Sequence, residues 1–291
     1  MSTAGAASGY RPGRTLTVPA EWRREASRRR TQLALGFMVV LPLIILAAFQ
    51  IGGESSGDGG DGGDGGRAFR SLVDLATTGG LNFALFTVFL ASGFLLVVTV
   101  ALFFGDPVAS EASWGSLRYL LAAPVPRSRL LGAKLVVAAG YSALAMLVLT
   151  GVALLVGTLR YGWHPLRSAV AAELPPAEGL LRLSLVLGYL AIGLLVVAGL
   201  AFLLSVVTDA PLGAVGGAVM LYILSSILDQ ITALGDLRTV LPTHYSGAWL
   251  GLLSTPVQVD DAVKGTISAL VYASAFWSAA WWRFLRKDIL S

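Results

Sequence analysis

Few side chains in this sequence are equipped for catalysis. It holds no cysteine and only two histidines, His164 and His244. They fall in different loops, and neither belongs to a His-Glu-x-x-His pattern, so neither a metal centre nor a nucleophile–base pair is expected. No Gly-x-x-x-x-Gly-Lys-Ser/Thr loop is present to cradle ATP phosphates. Asp229 is the one carboxylate inside an apolar segment. A charge in hydrocarbon is costly and often marks an ion or substrate path, which makes Asp229 and its neighbour Gln230 candidates for a translocation path. Asp229 also falls late in its segment, where it can simply reach water or cap a break in the helix.

Polar residues of another kind collect between Asp106 and Lys134, in DPVASEASWGSLRYLLAAPVPRSRLLGAK. Asp106-Pro107 suits a helix start, with Asp as N-cap and proline at the first helical position. A helical pattern can run to about Ala123, where Pro124 and Pro126 stop it. Glu111 and Arg118 are two turns apart and share a face, with Gly115 between them. Trp114, Leu117, Tyr119, Leu120 and Leu121 stand among polar residues on this loop and need a partner or a packed fold. The chemistry expected here is docking. Arg127, Arg129 and Lys134 follow, where the chain returns to the membrane.

The elements that would carry these residues are apolar. Of 291 residues, 55% are hydrophobic and 13% charged, and the mean hydropathy is +0.74. A soluble domain carries about 25% charge, so this is an integral membrane protein. Its net charge of +4 does not point to nucleic acid, because the basic residues flank apolar segments, where they set orientation and meet anionic lipid.

Residues 1–18 have no apolar period and read as a disordered tail. Residues 19–32 read as a helix on the membrane surface, with Glu21 near its start and arginines near its end. Trp22 would lie at headgroup level, and Arg23 and Arg24 would touch a partner or anchor the topology. Residues 33–291 hold six segments of about 20 residues, the length that crosses a bilayer: Leu33–Ile51, Leu81–Phe104, Leu135–Leu159, Leu183–Val207, Leu212–Leu234 and Val263–Trp282. Within this domain, 52–66 is a run of Gly and Asp without the hydrophobic positions or closing Glu of a calcium loop, so a flexible extracellular linker is expected. Small residues in the fourth and fifth segments (Gly188, Gly193, Gly199, Gly213, Gly216, Gly217) favour close helix contacts. The apolar piece Tyr245–Leu253 is too short to span and suits a re-entrant or interfacial helix. Six spans put both termini on one side. That side, with the Asp106–Lys134 stretch, carries 14 of the Lys and Arg residues against 7 opposite, so it should be cytoplasmic.

The order Glu111, then Gly115-Ser116-Leu117, then a proline (Pro124 or Pro126) with Arg127 or Arg129, then Lys134, resembles the loop between the second and third spans of type-2 ABC exporter permeases. The tail Phe284-Leu285-Arg286-Lys287-Asp288-Ile289 is similar to that family's ending. The resemblance covers the membrane region from about residue 20; the first 18 residues and the Gly/Asp linker fall outside it. It implies an all-α, six-helix membrane subunit with no catalysis of its own. It also implies a cytoplasmic connecting helix at 19–32 with Trp22, Arg23 and Arg24, and short re-entrant helices before the last span. Asp106, Glu111, Trp114, Gly115, Ser116, Leu117 and Arg118 would form the coupling helix that docks a separate cassette ATPase. That ATPase, in two copies, would hold the ATP and magnesium; this chain would bind no cofactor. A second permease copy, identical or related, would complete the path in the plasma membrane of a bacterium. A secondary transporter or channel is the alternative, but the second, third and fourth segments carry no charge and no half-to-half repeat is evident.

Overall fold

The computed structural model describes residues 18–54, 72–113, 127–168, 171–208 and 210–286. In lipid every backbone polar group must be satisfied within the chain, and helices do this locally. The apolar runs accordingly form helices. They are α1 (Val18–Ala26), α2 (Arg29–Glu54), α3 (Gly80–Ser92), α4 (Leu95–Ser113), α5 (Arg127–Tyr161), α6 (Pro176–Val207), α7 (Pro211–Asp229) and α8 (Asp260–Arg286). Prolines open α6 and α7, where the missing N–H costs nothing.

Among the described residues, four helices are long and apolar enough to cross a membrane, and a fifth crossing is reached if α3 and α4, bent by 56° at Gly93–Phe94, count as one span. The chain is thus a multi-pass helical membrane protein. α8 is 27 residues long, but Trp277, Trp281, Trp282 and several serines make it less apolar than the others. The first apolar segment continues as helix to Glu54, into the expected linker. The fifth stops at Asp229, short of the expected Leu234, and passes into a 3-10 segment, Thr232–Val240. The expected short helix before the last span is a 3-10 turn, Ala248–Leu253, with Trp249, Leu252 and Leu253 buried. The loop after α5 contains a small antiparallel hairpin, β1 (Leu166–Ser168) with β2 (Ala171–Leu174).

α6 is the central helix and packs against α8, α4 and α7, while α3 packs against α5. Glycine permits the closest approaches: a Cβ at Gly80 would collide with Thr158, at Gly105 with Val215, and at Gly199 with Trp277. The expected close-packing face holds at Gly199 and, more loosely, at Gly217 against Leu204. It fails at Gly188, Gly193 and Gly216, where a Cβ would meet nothing within 4 Å. One core cluster, with Met38, Phe103, Tyr141 and Phe202, lies toward the end that carries α1. A second, with Phe83, Leu166, Val186 and Trp249, lies toward the opposite end.

Asp106-Pro107 does not start a helix. α4 runs through it to Ser113, with Pro107 inside. Proline in a helix interior disturbs the hydrogen bonds of its turn. Here Ser205 of α6 repairs the damage, its Oγ accepting from the amides of Val108 (3.3 Å) and Ala109 (3.0 Å). Ser205, 97 residues from Val108, thus supports a helix through a dipeptide whose local signal is a helix start.

Candidate functional site

Charged side chains meet where α1, the start of α2, the end of α4 and the start of α5 come together. α1 carries Glu21 and Glu25 one turn apart, so both carboxylates face the bundle, and both are buried. Lys134, 5% exposed, reaches from α5 and donates to Glu21 at 3.1 Å and to Glu111 of α4 at 2.6 Å. Arg24 reaches Glu111 at 3.4 Å and Glu21 at 3.6 Å. The chain breaks at Ser27-Arg28 between α1 and α2, which turns Arg28 and Arg30 onto Asp106. Arg28 donates to Asp106 Oδ2 at 3.1 Å, and Arg30 pairs with Asp106 Oδ1. Arg28, Arg30 and Thr31 close the circuit on Glu25.

Four carboxylates thus face four cations, and the interior of the joint is nearly full: a void of about 10 Å³ among Glu21, Arg28 and Lys134 has room for no more than one water. Burial pushes the Glu21 carboxyl up, but Lys134, Arg24 and Arg28 act against it and hold it below its ordinary value. Trp22 fixes the helix from its other side. Its ring stacks on Tyr141 at 4.4 Å, over Gly140, where any side chain would collide with the indole. The Tyr141 hydroxyl donates to the Trp22 carbonyl at 2.9 Å. An open cleft of about 470 Å³ borders the joint, lined by Arg24, Arg28, Arg29 and Arg30 opposite Asp106 and Pro211.

Several sequence-based expectations change here. Asp106 and Glu111, expected on a docking face, are buried and turned inward into an internal ion network. Lys134, expected where the chain re-enters the membrane, sits at the centre of that network. Trp22 packs against α5. Arg23 is exposed, and Arg129 is exposed at the start of α5. Arg127 opens α5. Trp114, Gly115, Ser116, Leu117 and Arg118 lie outside the described residues, as do most of the linker and the end of the tail.

Asp229 closes α7, and its Oδ1 lies 2.6 Å from Nδ1 of His244. Gln230 caps the helix end, its amide bonded to the carbonyls of Ile227 and Leu228. The two residues therefore fix the turn from α7 into the 3-10 segment. Separate placement of Asp229 and His244 in the sequence concealed the pair. The α1 contacts left a signal: acids at 21 and 25 and bases at 24 and 28 form complementary stripes at helical spacing.

The family described as "Protein of unknown function (DUF2705)" matches residues 68–290, and the chain belongs to it. No curated protein and no solved structure matches the chain. The matched region begins after α2, so the joint binds α1 and the start of α2, outside the match, to α4 and α5 within it.

Proposed function

We propose that this member of a family of unknown function is the membrane permease of an ATP-driven exporter of the type-2 ABC class, with six crossings: α2, α3 with α4, α5, α6, α7 and α8. Both termini and the 114–126 stretch would face the cytoplasm, and two copies would enclose the path. A separate cassette ATPase would bind at that end and supply the energy. The observation that carries this is the charge-balanced joint. It ties α1 to the end of α4, from which the docking stretch leaves, and to the start of α5, to which that stretch returns. A push on the docking stretch would therefore reach α1, α4 and α5 together. The arginines along the adjoining cleft add a basic surface for a partner or for anionic lipid. ATP can drive the cycle only by binding one state of the assembly more tightly than the other.

The secondary-transporter alternative is favoured by one feature, the broken span at Gly93–Phe94. The residues around the break, Ser92, Gly93, Phe94 and Leu95, carry no charge to bind an ion.

Co-expression of the full chain with any cassette ATPase found encoded in a neighbouring gene is the test. The ATPase should co-purify from detergent with ATP hydrolysis activity. Arg118→Ala should reduce its retention while membrane insertion stays intact. Absence of any associated ATPase would rule the proposal out.

A further inference from the structure

The end of the bundle opposite α1 holds a cavity of about 440 Å³, within the range of small-molecule sites. It lies at the break between α3 and α4 and is walled by α6, α7, α8, residues 242–247 and Trp249 of the second 3-10 segment. Among the described residues, no Asp, Glu, Lys, Arg or His lines it. Glycines shape it in two ways. At Gly265 a side chain would collide with the Tyr189 hydroxyl, so glycine lets that hydroxyl reach the Tyr245 carbonyl, to which it donates at 2.5 Å. At Gly193 a Cβ would meet nothing within 4 Å, because that position faces the empty space. Further hydroxyl-bearing residues line the cavity: Ser92, Tyr222, Ser226, Tyr245 and Ser246. Ser226 is spent on the Tyr222 carbonyl at 3.1 Å. The Tyr222 hydroxyl has no hydrogen-bond partner among the described residues. An unspent phenol in so apolar a place is a donor and acceptor waiting for a ligand group.

A second apolar pocket of about 230 Å³ adjoins the first. The two share Phe89 and Trp249, whose rings stand 5.8 Å apart. The combined space is therefore two-lobed, with a hydroxyl-bearing lobe inside the bundle and an almost wholly apolar lobe beyond the aromatic pair.

We propose that this space binds an amphipathic, single-chain lipid with an uncharged hydrogen-bonding head. The head meets the Tyr222 hydroxyl, and the chain runs past Phe89 and Trp249 into the apolar lobe. An ionised head is disfavoured beside Tyr222 because no charged side chain lines that lobe among the described residues; the one cation at the apolar lobe, Arg167, is already paired with Glu173 at 2.7 Å. The inference stands apart from the exporter proposal, since it needs no ATPase and is tested without one.

The test uses the full chain in phospholipid nanodiscs and tritiated monooleoylglycerol as probe. Saturable binding is expected, in the presence of a large excess of bilayer phospholipid. Oleate, with the same chain and a carboxylate head, should bind at least about tenfold more weakly, the effect of leaving one charge unpaired. Gly193→Leu fills the cavity and should abolish saturable binding. Gly188→Leu, on the same helix and equally free of clashes but outside the lining, should leave it unchanged. Tyr222→Phe should weaken binding about fivefold, the worth of one hydrogen bond, with no change in melting temperature. Absence of saturable binding to the natural chain, equal binding of oleate, or equal losses in the Gly188 and Gly193 variants would each overturn the proposal.

Discussion

The two ends of this bundle treat polar groups in opposite ways. At the α1 end, eight charged side chains are paired with one another around a void of about 10 Å³, beside an open, arginine-lined cleft of about 470 Å³. At the opposite end, a cavity of about 440 Å³ carries no charge among its described lining residues and keeps a phenol hydroxyl uncommitted. A buried ion network resists deformation because losing one partner strands the rest. An apolar cavity with a free hydroxyl is costly to leave empty and gains by being filled. The contrast separates a joint that transmits force from a chamber that accepts a molecule.

The contrast is broken most severely at Lys134. Lys134→Met leaves Glu111 and Glu21 buried without their shared ammonium, with Arg24 at longer range from both and Arg28 near Glu21. Loss of one member of a buried pair costs about 3–5 kcal/mol, so the variant should unfold at markedly lower denaturant concentration. Its protease sensitivity should appear first at α1, which has lost its tether. If Lys134→Met is as stable as the natural chain, the joint is not what holds α1.

Ser205→Ala tests the next tier. It removes the acceptor for two amides beside Pro107, at a cost of about 1–3 kcal/mol for the buried groups left unsatisfied. The loss should show as faster hydrogen exchange at Val108 and Ala109, confined to the end of α4. Uniform destabilisation without that local signature would mean that Ser205 acts only through packing.

The membrane class and most helices were legible because apolar runs of spanning length have few alternatives in lipid. The joint was only half legible. Glu111, Asp106 and Lys134 stood out by type, but their partners on α1 and around the start of α2 lie some 80 to 110 residues away, and polar residues on a loop read naturally as exposed. Asp106-Pro107 misled for a related reason: a local cap signal was overruled within a helix that one hydroxyl from α6 supports. The cavity left no signature in sequence. Gly193 and Gly199 sit on the same helix, yet one faces empty space and the other a tryptophan ring. Only the three-dimensional arrangement tells them apart.

The smallest expected effect concerns pH. Glu21 is held below its ordinary carboxyl value by Lys134, Arg24 and Arg28 in spite of its burial. A carboxyl depressed in the folded state contributes stability that is complete above its unfolded value, ordinarily 4.5, and is lost as pH falls through the lower, folded value. Glu21→Gln lacks this contribution at every pH. The gap in stability between the natural chain and Glu21→Gln should therefore be widest near neutrality, begin to close below about pH 4.5, and vanish at lower pH. Denaturant midpoints measured on both proteins across that range check it. A gap that widens on acidification would show that the cost of burying Glu21 outweighs its cations, and the joint would then be a strained contact instead of a stabilising one.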